Sequence, residues 1–113
     1  MRLAFPPRAR LRKPREFEAV LKRGRRVQEK LLSAVILAGA SEARLGLAIS
    51  ARAVPLATGR NRIKRLARET FRRSRAGLPA IDVVLQARSA AAGAESAELR
   101  STLDRLWQRL RQP

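Results

Sequence analysis

Apolar residues recur along this chain with two different periods, and the periods divide it into elements. Between Pro14 and Arg23, Phe17, Val20 and Leu21 follow the spacing of a short helix, with Pro14 suited to its first position and Gly24 to its stop. Leu31 to Ala38 is an apolar run ending at Gly39, and its length favours a buried strand over a helix. From Arg44 to Ser50 the pattern alternates, with Leu45, Leu47 and Ile49 on one side. GASEA before it reads as a turn, so these two strands are expected to form a hairpin. Ile81 to Arg88 alternates again through Ile81, Val83, Leu85 and Ala87, and is the third main strand. The helical period returns at Leu99, Leu103, Leu106 and Leu110, with Trp107 beside them.

Before the third main strand lies GRNRIKRLARETFRRSR, residues 59–75. Ile63, Leu66, Ala67, Thr70 and Phe71 give it one apolar face at helical spacing. Eight basic side chains (Arg60, Arg62, Lys64, Arg65, Arg68, Arg72, Arg73 and Arg75) stand there against one acid, Glu69. Arg60, Lys64, Arg65, Arg68, Arg72 and Arg75 fall within an arc of roughly 140°. Such a helix packs one side on a core and offers the other as a cationic strip, for which polyphosphate is the natural partner. Pro55 to Gly59 reads as a loop, Thr58 as a candidate N-cap, and Gly77 and Pro79 as the stop. Residues 1–13 are basic, broken by prolines and expected to be extended, and SAAAGA at 89–94 reads as a linker. The fold class is α+β, a small two-layer α/β sandwich in the order α-β-β-β-α-β-α, with 1–113 a single domain.

Charge narrows the partner. The formal net charge is +17, with 26 basic residues of which only Lys13, Lys22, Lys30 and Lys64 are lysine. Arginine donates in a planar fork and stacks on bases, which suits nucleic acid. A hydrophobic content of 45% argues against a disordered basic tail. With no cysteine and no histidine, disulfides, thiol chemistry, imidazole catalysis and the common zinc sites are excluded. No apolar run approaches the ~20 residues that span a bilayer, and the N-terminus has no apolar signal core, so the expected address is the cytoplasm. Asp82, Asp104 and seven glutamates are scattered without the clustering that a metal-dependent nuclease needs.

Arg60-Asn61-Arg62 followed by IKRLARETFR resembles the RNR signature of the bacterial ribonuclease P protein component. The likeness extends to RLGLAIS at 44–50, to Arg10-Leu11, Phe17 and Gly24 upstream, to LAFP at 3–6, and to Leu78-Pro79-Ala80-Ile81-Asp82 with the Leu/Trp helix downstream. It covers nearly the whole chain. The resemblance implies the protein subunit of a ribonucleoprotein that removes the 5′ leader from precursor tRNA. It implies that the RNA subunit carries the catalytic site and needs Mg2+, and that this chain has no catalytic residues, binds no cofactor itself, and has neither membrane nor DNA as partner. It also implies a left-handed β-α-β crossover through the basic helix, against the right-handed rule.

By the same resemblance, Arg60, Asn61 and Arg62 bind the catalytic RNA, with Lys64, Arg65, Arg68 and Arg72 extending the contact. The two arginines would meet phosphates through forked hydrogen bonds, and Asn61 would shape the entry to the helix. The precursor tRNA leader is expected in a cleft beside the first helix, met by Phe17, Leu21, Val35, Arg10, Arg12 and Lys13. Leu21 and Val35 are aliphatic where relatives often carry aromatics, which shifts that contact towards apolar packing and charge. Phe71 and Trp107 read as core. A ribosomal or general RNA-chaperone protein would share the charge and size but would not account for the RNR pattern together with Phe17 and Gly24.

Overall fold

The computed structural model describes residues 6–111 of the chain. The order of elements is α1 (Pro14–Arg23), β1 (Arg25–Gln28), β2 (Leu32–Ala38), β3 (Arg44–Ala48), α2 (Ala57–Ser74), β4 (Ile81–Ala87) and α3 (Ser96–Arg111). LAFP lies at the edge of this range, with residues 3–5 outside the described residues. β1 is short and has one buried residue, Val27, so no period marks it in the sequence.

The four strands form one sheet in the order β1-β2-β4-β3. The expected hairpin between β2 and β3 is not made. β4 lies between them, antiparallel to β2 and parallel to β3. Val83, Val84 and Leu85 are fully buried, so β4 is apolar towards both faces and needs a strand on either side and cover above and below. The parallel partnership of β3 and β4 requires a long crossover, and α2 supplies it.

Alternation assigns the faces. Leu32, Ala34 and Ile36 of β2, Leu45 of β3, and Val83 and Leu85 of β4 join the main core with the apolar sides of α2 and α3. α2 and α3 hold each other through Phe71 and Trp107, whose rings meet edge to face at 5.4 Å. The Trp107 Nε1–H donates to Thr70 Oγ1 at 2.8 Å, so the polar edge of the indole is satisfied inside the core. On the opposite face Val35 and Val84 pack with Val20 of α1 and with Leu11, a smaller cluster that leaves part of the sheet uncovered.

The connections differ in detail from expectation. α2 starts at Ala57 with Leu56 in the cap position and no side-chain cap, so Thr58 sits inside the first turn. Residues 7–9 make a turn of 3-10 helix, and extended structure begins at Arg10, which bridges to Leu45 of β3. The segment 89–93 is also a 3-10 turn rather than a loose linker, with Ala91 fully buried.

Candidate RNA-binding surface

The basic residues of α2 divide by what their side chains already hold. Arg60 Nη1 donates to the carbonyls of Val54 (2.9 Å) and Pro55 (2.8 Å), fastening the loop that enters its own helix. Arg62 Nη2 donates to the Ala94 carbonyl at 2.7 Å and so ties α2 to the start of α3. Arg73 pairs with Glu69 at 3.2 Å, and Arg75 with Glu42. Arg60 and Arg62, expected to lead the phosphate contacts, thus commit part of their guanidinium donors to the fold itself. Asn61 is exposed and one turn inside the helix, so it does not shape the entry.

Lys64, Arg65 and Arg68 have no acceptor among the described residues. With Asn61 and Arg72 they share the solvent-facing arc of α2, spanning about 100° on a helical wheel. Lys64, Arg65 and Arg68 are the part of the strip with donors to spare.

The second surface lies beside α1. An arginine pins that helix to the sheet: Arg44 of β3 makes a forked pair with Asp82 of β4 (2.7 and 2.8 Å) and reaches Glu16 of α1 at 2.9 Å. Hydrogen bonding to Asp82, against some burial and with Glu16 assisting, raises the already high Arg44 pKa, so the pin stays charged. Partial burial pushes the Glu16 pKa up, but the Lys13 backbone N–H and the Arg44 guanidinium outweigh it and hold the carboxyl below its ordinary range.

Glu16 thus faces one flank of α1, while Leu21, about 140° round the helix, is 43% exposed on the other. Phe17 lies between, half-buried. Its ring rests against β3 at Gly46, where an added Cβ would come within 2.7 Å of the ring. Val35 does not belong to the exposed site: it is 2% accessible beneath α1 and packs with Val20, because the helix covers this row of the sheet. Lys13 and Arg12 are exposed at the start of the helix.

The two surfaces meet. A hollow of about 250 Å³ is lined by Arg10, Arg12 and Phe17 from the α1 side, Leu45 and Leu47 from β3, and Lys64 and Arg68 from α2. It exists because β3 is a sheet edge, with a strand-like contact at Arg10 and Leu11 beside it; Leu11 N–H donates to the Leu45 carbonyl at 2.9 Å. The uncovered sheet beyond α1 carries residues absent from the expected site. Arg26 Nη1 donates to Ser33 Oγ at 3.2 Å and to Gln86 Oε1 at 3.1 Å. No sequence period singles these three out, since only the strand register brings them together.

Fold and site define a class: a small α+β polyanion-binding protein with a cationic helix face and a half-covered sheet. The family model described as Ribonuclease P matches residues 5–111. A ribonuclease P protein component from Thioalkalivibrio sulfidiphilus is 39% identical over 110 residues, covering 96% of this chain and 92% of the relative. One from Aliivibrio salmonicida is 33% identical and covers 100% of this chain and 97% of its own. Among solved structures, the RNase P protein from Thermotoga maritima matches with TM-score 0.76 at 29% identity, over 88% of this chain and 96% of that one. The Staphylococcus aureus RNase P protein shares the fold with TM-score 0.82 at 24% identity, over 89% of this chain and 94% of that one. The chain belongs to the ribonuclease P protein-component family.

Proposed function

We propose that this chain acts within the ribonucleoprotein that removes the 5′ leader of precursor tRNA, binding two RNA elements at once. Lys64, Arg65 and Arg68, with Arg72 beside them, meet backbone phosphates of the catalytic RNA. Arg60 and Arg62 act on that contact by positioning the α2 entry and its seam with α3. The leader runs between α1 and the uncovered sheet, past Phe17 and Leu21, with Arg10, Arg12 and Lys13 offering charge to its phosphates. The observation that carries this reading is the hollow in which Arg12 and Phe17 stand with Lys64 and Arg68, joining the helix face to the cleft. The family match favours it over a ribosomal or general chaperone role.

Chemistry belongs to the RNA in this account. Six of the nine acids, Glu16, Glu18, Glu29, Glu42, Glu69 and Asp82, are engaged by arginine or lysine. Among the described residues no three acidic side chains gather where a metal ion could be held. By the family resemblance the magnesium ions are assigned to the RNA subunit. No helix among the described residues is long and apolar enough to cross a membrane.

Binding to the assembled ribonucleoprotein tests the proposal. Wild-type protein should hold leader-bearing precursor more tightly than mature tRNA, and Phe17→Ala should shrink that difference while leaving mature tRNA unaffected. Equal losses for both substrates would reduce Phe17 to a packing residue and remove the cleft from the account.

A further inference from the structure

Arg26 is the only arginine of the sheet whose side chain bonds acceptors on two strands other than its own across the uncovered floor, among the described residues. It leaves edge strand β1 opposite Val35 and so points to the α1 side of the sheet. From there one nitrogen reaches Ser33 on β2 and Gln86 on β4, and β4 lies two strand spacings from β1, about 10 Å. The guanidinium therefore lies across the sheet rather than standing off it. Ser33 beneath is 3% accessible, while Arg26 itself remains exposed. Among the described residues the strands of the floor carry no aromatic side chain, and Val35 and Val84 are aliphatic and buried under α1.

We infer that Arg26 is the base-stacking element of this cleft, its guanidinium plane receiving one nucleobase of a single-stranded RNA, with Gln86 beside it reading that base's edge. The inference rests on the proposal that the cleft holds the leader. Guanidinium planes stack on bases as aromatic rings do, and carry a charge that a phenyl ring lacks. Accepting the Arg26 hydrogen bond at Oε1 fixes the Gln86 amide, so its NH2 donors face away from Arg26 and remain for an acceptor on the base. A leader base with an acceptor on its exposed edge is the preferred occupant.

The test uses the assembled ribonucleoprotein and precursor tRNA carrying 2-aminopurine at one leader position at a time. For wild type, one position should lose fluorescence on binding, and leader-bearing precursor should bind more tightly than mature tRNA. Arg26→Lys keeps the charge and removes the plane. It should restore the fluorescence and weaken precursor binding about tenfold, within the range for one stacked base, with mature tRNA unchanged. Gln86→Ala should lower discrimination among bases at that position while leaving quenching in place. An Arg26→Lys protein that quenches and binds as wild type does would overturn the inference, because charge alone would then suffice. If wild type shows no leader preference at all, the leader-cleft proposal fails first and this inference with it.

Discussion

In the proposed binding mode, the share each arginine takes in RNA contact follows from what its guanidinium already touches. Arg60 lies at the boundary of the α2 polar arc, close on the helical wheel to Ala67 and the buried Phe71, and its donors turn inward to the carbonyls of Val54 and Pro55. Lys64 and Arg68 sit further round, with no acceptor among the described residues. Replacing Lys64 and Arg68 by Ala should therefore leave the melting temperature unchanged and flatten the salt dependence of RNA binding by about 0.7–0.9 in slope per charge removed. Arg60→Ala and Arg62→Ala should each cost about 1–2 kcal/mol of stability through lost charged hydrogen bonds, read as a melting point several degrees lower. A salt slope that changed more for Arg60 and Arg62 than for Lys64 and Arg68 would reverse this division of labour. The sequence shows the charge and its face. It does not show which cations are engaged, because the acceptors of Arg60 and Arg62 are loop carbonyls.

Two of the contacts that hold the elements in place are open to direct tests. α1 rests on a small apolar cluster, the Phe17–Gly46 contact and the Arg44 pin. Gly46→Ala would set a methyl within 2.7 Å of the Phe17 ring and 2.9 Å of Leu11 Cβ, so α1 must shift. The expected cost is about 1–3 kcal/mol of overpacking, together with weaker leader binding, and an unchanged melting curve would refute the contact. α3 is fastened to the β1–β2 turn by Glu29, which Arg105 meets at 2.8 Å and Arg109 also pairs with. The Arg105 hydrogen bond, against partial burial and with Arg109 helping, holds the Glu29 carboxyl below its ordinary range. Because the folded pKa is depressed, this stabilisation is complete above the unfolded value of about 4.3 and is lost as pH falls through the lower folded value. Denaturant titrations from pH 6 downward should show a fall in stability below about pH 4 that Glu29→Gln reduces, and the same fall in both proteins would remove Glu29 as its source.

Local pattern reveals elements better than it reveals their neighbours. Period and turn residues give α1, α2, α3 and the three long strands close to their observed bounds. The β2–β3 hairpin is wrong because two apolar strands joined by a turn are locally the same whether they pair or leave a slot. Only β4, apolar on both faces and more than thirty residues later in the chain, fills that slot. β1 has its place in the expected order but no period of its own, because RRVQ has one apolar residue. The triad of Arg26, Ser33 and Gln86 depends on the register of three strands, which no single segment encodes.

At the scale of the whole molecule, a net charge of +17 rests on a domain whose acids are mostly paired with arginine or lysine already, four of them between elements. The excess of cations is thus left for a polyanion, and binding it relieves self-repulsion as well as making contacts. The most direct test is cleavage of a 5′-leader precursor tRNA by a matched bacterial ribonuclease P RNA at low magnesium, with and without this protein. We expect the protein to restore cleavage at the mature 5′ end, since its cations and cleft replace the electrostatic help that high magnesium gives the RNA. Tight binding to the RNA with no restored cleavage would contradict it.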